Sequence, residues 1–349
     1  MRKRKLVLSG FLVLLLSSLP AVQQISFGAT LPVPYLIVIT FYSDAIKPTT
    51  LATVRAQYAP TINKSAYHGV AIAPVKSSQT LATSGAQNFD WMVTGTGITK
   101  QVWPWVFINR IIAKPSGSTQ PAGFAGIKGM DVLDRAGALT DFYRIFEMSL
   151  AFAKKHGSPG VVFDPEAYHD YNVYRLDRLS SLTGISQTNL ITALKNIGAK
   201  MTDIINATYP DAVIWSLTAR FYEMTLSPGR YSSVTWIQMG MLDRAKETHS
   251  RMKLVEGGEN SMWYCHLSLA DLNSDMNKRA GWYAPALKAW PNNFRMGATI
   301  SPWQDVAHKS GWLTVGECGA SQAKTIAEFV PMFTRLMTAY DYVWIYAAG

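Results

Sequence analysis

Cysteines, paired histidines and glycine-rich turns are what this 349-residue chain has least of. Two cysteines, Cys265 and Cys318, cannot make a disulfide scaffold, so packing has to hold the fold. A single bridge between them and a pair of free buried thiols are equally open readings. His68, His156, His169, His249, His266 and His308 form no pair at ligand spacing with the cysteines, which argues against a metal site. After the first strand-like run comes Ser43-Asp44-Ala45, without the glycines of a phosphate-binding turn. No cofactor is expected. Beyond the first five residues there is no dense Lys/Arg run, which argues against a nucleic-acid partner. No repeat of 20–50 residues and no linker divides the chain, so residues 30–349 read as one domain.

What the N-terminus does have is a leader. Arg2, Lys3, Arg4 and Lys5 precede an apolar run from Leu6 to Leu19, and small residues at Ser26, Gly28 and Ala29 offer a cleavage site. The run is short for a bilayer span, and residues 1–29 read as a signal peptide. No later stretch is long and apolar enough to cross a membrane. The expected location is periplasmic or secreted. The whole chain has 33 Lys+Arg against 23 Asp+Glu. Without the four head residues the balance is 29 to 23, a mild +6.

The remainder alternates. Short apolar runs at 35–42, 69–74, 102–110, 160–164, 212–218, 252–256, 295–300 and 342–346 read as buried strands. Helical segments fall between most of them, over 50–62, 139–156, 188–208, 233–247, 267–290 and 321–339. Eight strands alternating with helices predict an α/β fold, a parallel (β/α)8 TIM-like barrel. The last run ends almost with the chain. Either the barrel closes without a final helix or the chain is a fragment. A doubly wound open sheet is the competing architecture.

The centre of the reading is Gly160-Val161-Val162-Phe163-Asp164-Pro165-Glu166. Pro165 has no N–H for a ladder, so pairing should end near it. Residues two apart share a strand face, so Asp164 and Glu166 should project together at the carboxyl end. In a barrel, that rim is where chemistry sits. A helix start, with Asp164 as its cap, is the competing reading. The other strand ends bring Tyr42, Asn109, Arg110, Tyr168, Arg220, Tyr222, Glu256, Glu259, Trp303, Trp344 and Tyr346. Carboxylates, aromatic faces and Arg/Asn donors together suit a sugar: rings cover its apolar face and polar groups take its hydroxyls. The expected partner is a carbohydrate substrate; the oligomeric state is left open.

The eight-strand pattern, Asp164-Pro165-Glu166 and Tyr342-Val343-Trp344-Ile345-Tyr346 resemble the TIM-barrel glycoside hydrolases. In the chitinase-like type an Asp-x-Glu ends strand four and a Trp lies on strand eight; Asp164, Glu166 and Trp344 match. The type with two catalytic glutamates would need Glu256 or Glu259 as its second. The resemblance implies an exported glycosidase in which Glu166 is the general acid, Asp164 orients or shares protons, and Glu256 or Glu259 is nucleophile or base. A non-catalytic carbohydrate-binding barrel is the alternative.

The leader has its own test. N-terminal sequencing of protein recovered outside the cytoplasm should begin near residue 30; an intact Met1 chain held in the cytoplasm contradicts export.

Overall fold

A computed structural model describes residues 35–41, 55–56, 59–65, 67–72, 91–107, 138–165, 175–262, 266, 268–300 and 325–346. In chain order the elements are β1 (Tyr35–Phe41), α1 (Ala59–Lys64), β2 (Gly69–Ile72), α2 (Trp91–Thr94), β3 (Gln101–Phe107), α3 (Ala138–Lys155), β4 (Gly160–Asp164), α4 (Leu176–Thr183) and α5 (Gln187–Thr208). There follow β5 (Val213–Ser216), α6 (Glu223–Leu226), α7 (Ser233–Glu247), β6 (Lys253–Glu256), α8 (Leu269–Ala289), β7 (Phe294–Met296), β8 (Ala298–Ile300), α9 (Ile326–Ala339) and β9 (Tyr342–Tyr346).

The strand segments run in the order β7-β6-β5-β4-β3-β2-β1-β9-β8, and each neighbouring pair is parallel. The two ends of that order, β7 and β8, are separated in the chain by Gly297 alone. They are two halves of one stave: β7 pairs with β6, β8 with β9. The sheet therefore closes on itself as an eight-stave barrel, the TIM-like α/β fold expected from the alternation. Gly297 sits in the joint. Its N–H donates to Glu256 O at 2.7 Å, and a Cβ there would lie 2.9 Å from Val255 Cγ1 and 3.1 Å from Tyr342 O. The shift of partners from β6 to β9 needs a residue without a side chain.

Alternation along the staves sorts side chains into two layers. Ala71, Trp103, Trp105, Phe107, Val162, Val213, Trp215, Leu217, Val255 and Trp344 fill the lumen. Trp103 meets Trp215 edge-on at 5.5 Å, and Trp215 meets Tyr342 edge-on at 5.4 Å. The strand tryptophans are thus barrel core. The opposite faces, including Val106, Val161, Phe163, Ile214, Leu254, Ile300, Val343 and Ile345, pack under the helices.

α5 shows how a helix is made for this outer layer. Ser186 caps it, and Leu190, Ala193, Leu194, Ile197, Met201 and Ile205 form one buried stripe. The stripe carries Gly198, which lies against the α7 backbone at Ile237 and Met241, while Gly240 of α7 lies against Lys195 of α5. A Cβ on Gly198 would come within 1.9 Å of Ile237 O, and one on Gly240 within 2.1 Å of Lys195 O. Thr202 Oγ1 donates to Met241 O at 2.9 Å beside that crossing.

The boundaries differ from the sequence expectation in small ways. The stave at 295–300 is split at Gly297, and α4 and α6 arise where no strong pattern stood. α9 starts at Ile326, set by a capping box between Thr325 and Glu328.

The helix crossing makes a prediction. Gly198→Ala forces backbone apart at a contact that cannot yield by side-chain rotation, and should cost about 3 kcal/mol, the upper end of the usual overpacking cost. A urea unfolding curve checks it; an unchanged midpoint would mean the helices do not touch there.

Candidate functional site at the carboxyl rim

β4 ends at Asp164, before Pro165 as expected. Asp164 is wholly buried and shares its strand face with the lumen residue Val162. Its neighbour in register is Phe107 of β3, another lumen residue. On the other side runs the end of β5. Leu217 N–H donates to Phe163 O at 2.9 Å, and Leu217 O accepts from Glu259 N–H at 3.1 Å. Asp164 and Glu259 thus flank Leu217 at the rim, their backbones two strand spacings, or about 10 Å, apart. Glu259 is buried too.

Glu259 stands in a turn that follows β6. Gly258 has φ +94°, open to glycine at little cost, and a Cβ on Gly257 would meet Ser216 O at 2.7 Å. Ser261 and Met262 N–H close the turn on Gly258 O at 3.2 and 2.7 Å. Asn260 Nδ2 ties it to Thr218 Oγ1 at 2.7 Å. Beneath it lies Trp344, fully buried, whose Nε1–H donates to Gly257 O at 2.7 Å.

Glu256 is placed otherwise. It is two residues from Leu254, which packs under the helices, whereas Val255 takes the lumen side. Its carboxylate therefore leaves the lumen and meets Arg279 of α8, and both side chains are wholly buried. Glu256 Oε1 accepts from Gly258 N–H at 2.8 Å, and Oε2 from Ser261 Oγ at 3.1 Å and from Arg279 Nη2. Arg279 also donates to Ser261 Oγ at 2.8 Å, Tyr340 Oη at 3.1 Å and Gly297 O at 3.0 Å. Burial pushes the Glu256 carboxyl up from its ordinary value, while Arg279, Gly258 N–H and Ser261 pull the other way. Burial likewise opposes the Arg279 charge, but Glu256 beside it holds the guanidinium protonated. Both Glu256 oxygens are thus hydrogen-bonded within the fold, on the helix side of the sheet.

Arg220 and Tyr222 follow β5 but serve the helix layer. Arg220 Nε donates to Glu223 Oε1 at 2.7 Å and lies over the Tyr222 ring at 5.5 Å. Glu223 Oε2 also accepts from Ser232 N–H at 2.7 Å and Thr235 Oγ1 at 2.6 Å, at the start of α7. Tyr222 meets Tyr283 of α8 edge-on at 6.3 Å. Glu166, Tyr42, Asn109, Arg110, Tyr168 and Trp303 lie outside the described residues, as do Cys265, Cys318 and the leader. Tyr346 is the last residue of β9, and its side chain is likewise outside the description.

Arg279 was open to discovery from sequence. It falls on the stripe Leu272, Met276, Arg279, Tyr283, Ala286, where a charge must have a buried partner. Among the described residues no cluster of His, Cys, Asp or Glu could hold a metal ion, and no helix is long and apolar enough to cross a membrane.

No protein-family profile matches the chain, and no curated protein does. Solved structures do match. One, described as a 3-keto-D-glucoside 4-epimerase from E. coli, is 12% identical over 89% of this chain and 91% of its own, with a TM-score of 0.41. A sugar phosphate isomerase/epimerase from Parabacteroides distasonis is 10% identical over 90% and 91%, also at 0.41. A protein from Clostridium thermocellum that binds two copies of 5-methyl-5,6,7,8-tetrahydrofolic acid is 8% identical over 90% and 89%, at 0.39. At such identities the likeness concerns the fold.

The glycosidase expectation is corrected. The sugar enzymes matched are described as epimerases and isomerases. Glu256, one of the two partner glutamates that reading allowed, is paired with Arg279 behind the sheet. The resemblance to glycoside hydrolases reaches no further than the barrel.

The ion pair can be tested directly. Arg279→Met strands a buried carboxylate and should cost about 3–5 kcal/mol at neutral pH, whereas adding Glu256→Gln should restore much of it. In Arg279→Met the Glu256 carboxyl has a pKa raised above its unfolded value, so it favours the fold below the unfolded range, about pH 4.3. That contribution is lost as pH rises through the higher folded value. Thermal melts at pH 4.5 and 7.5 should show the variant closer to the parent at the lower pH; a constant deficit would remove Glu256 from the account.

Proposed function

We propose that the carboxyl rim of this barrel binds a small carbohydrate or related polyol. One observation carries the reading: two buried carboxylates, Asp164 and Glu259, flank Leu217 at the rim, with the Trp344 indole under the Glu259 turn. Carboxylates accept hydrogen bonds from vicinal hydroxyls, which a small polyol offers in number. Sugar-processing names among proteins of like fold accord with this class but do not carry it.

The same pair supports a catalytic form of the reading. Two carboxylates on opposite sides of a ligand can take a proton from a carbon next to a carbonyl and return it. Such proton transfer would isomerise or epimerise a sugar and cleave no glycosidic bond.

Calorimetric titration with glucose, mannose, xylose and fructose tests the binding. At least one should bind, and Asp164→Asn and Glu259→Gln should each weaken it about tenfold or more. Titrations without heat, or variants that bind like the parent, would end the proposal. Incubation in heavy water, followed by proton NMR, tests the catalytic form: loss of a carbon-bound proton next to the carbonyl is expected, and its full retention would leave binding alone.

A further inference from the structure

Several buried side-chain polar atoms have no hydrogen-bond partner among the described residues, and of these Thr299 stands at the rim. It lies in the middle of β8, between Ala298 and Ile300, both of which pack under the helices. Strand alternation therefore turns Thr299 to the lumen. It is paired in register with Trp344, also a lumen residue, so the two side chains stand next to each other on one face. The Thr299 backbone reaches the rim turn: a Cβ on Gly258 would lie 3.3 Å from Thr299 N. Thr299 is 0% exposed, and its Oγ1 has no hydrogen-bond partner among the described residues.

A buried hydroxyl without a partner is costly, and native structures keep very few. Valine has nearly the same shape and would fill this place without that cost. The residue pairs with Trp344, and its backbone nitrogen lies against Gly258, the residue before Glu259 in the rim turn. The position accounts for the hydroxyl if something other than the protein completes its bonding.

We infer that Thr299 is a ligand-binding residue: its Oγ1 bonds a hydroxyl or ring oxygen of a polyhydroxylated ligand held at the rim beside the Glu259 turn. This rests on the carbohydrate reading of the rim. The hydroxyl can donate to a ring oxygen or accept from a sugar hydroxyl, so the ligand class is a polyol rather than an aromatic or a fatty chain. The Glu259 carboxyl offers acceptor oxygens beside it. Together they suit a ligand edge that offers both a donor and an acceptor.

The test is Thr299→Val, measured twice. In the unliganded protein the melting temperature should rise or hold, because an unpartnered buried hydroxyl is replaced by a methyl group of like size. A clear fall would mean that the hydroxyl is already satisfied within the fold, and would overturn the inference. In titrations with whichever of glucose, mannose, xylose and fructose binds the parent best, affinity should drop roughly tenfold, and Thr299→Ser should recover most of it. If Glu259→Gln loses the sugar while Thr299→Val binds it like the parent, the inference fails and the rim reading stands. If none of the four sugars binds the parent, the rim reading fails and takes the inference with it.

Discussion

The barrel depends on one buried ion pair. Glu256 and Arg279 meet behind the sheet, and through them four parts of the chain meet: the end of β6, α8, the Gly297 joint between β7 and β8, and Tyr340 just before β9. A pair of this kind is no guarantee of net stability, since both charges leave water. What it does impose is geometry. Glu256 accepts from Gly258 and Ser261, so the turn that carries Glu259 is folded around its carboxylate. Arg279 binds Ser261 and the Gly297 carbonyl together, so the turn and the closing stave are held at one point.

The rim follows from that constraint. A closed parallel barrel has every strand end on one side, and here the neighbouring ends of β4 and β5 and the turn after β6 bring Asp164, Leu217 and Glu259 into one row. The lumen below is packed with tryptophan, phenylalanine and branched side chains, so it offers a floor and no passage. Polar atoms are placed at its upper edge, where Trp344 already hands its N–H to the Gly257 carbonyl. The separation of a solid apolar floor from a polar edge is the physical basis for assigning the rim to a small polar ligand.

Much of this architecture was legible in the residues. Apolar runs bounded by Gly and Pro mark the staves, because strands covered on both faces need no polar residues. The 3.6-residue stripes of α3, α5, α7 and α9 mark helices that lie on the sheet. Pro165 marks where β4 must stop pairing, and Asp164 does end that strand. Less legible were the joint at Gly297 and the side to which Glu256 turns. Both depend on which strands lie next to one another, and a one-residue change of register reverses the face of every side chain.

Local chemistry, then, was decided by the sequence alone: an alternating parallel α/β chain, acidic residues at strand ends, aromatic residues in the staves. These properties come from periodicity, and periodicity is a property of neighbouring residues. The tertiary structure decided which acids face which way. Asp164 and Glu256 both end strands, yet one faces the lumen and the other an arginine 23 residues further on in α8. Nothing local distinguishes them, because the difference is set by the tilt and closure of the barrel and by the helix packed behind it.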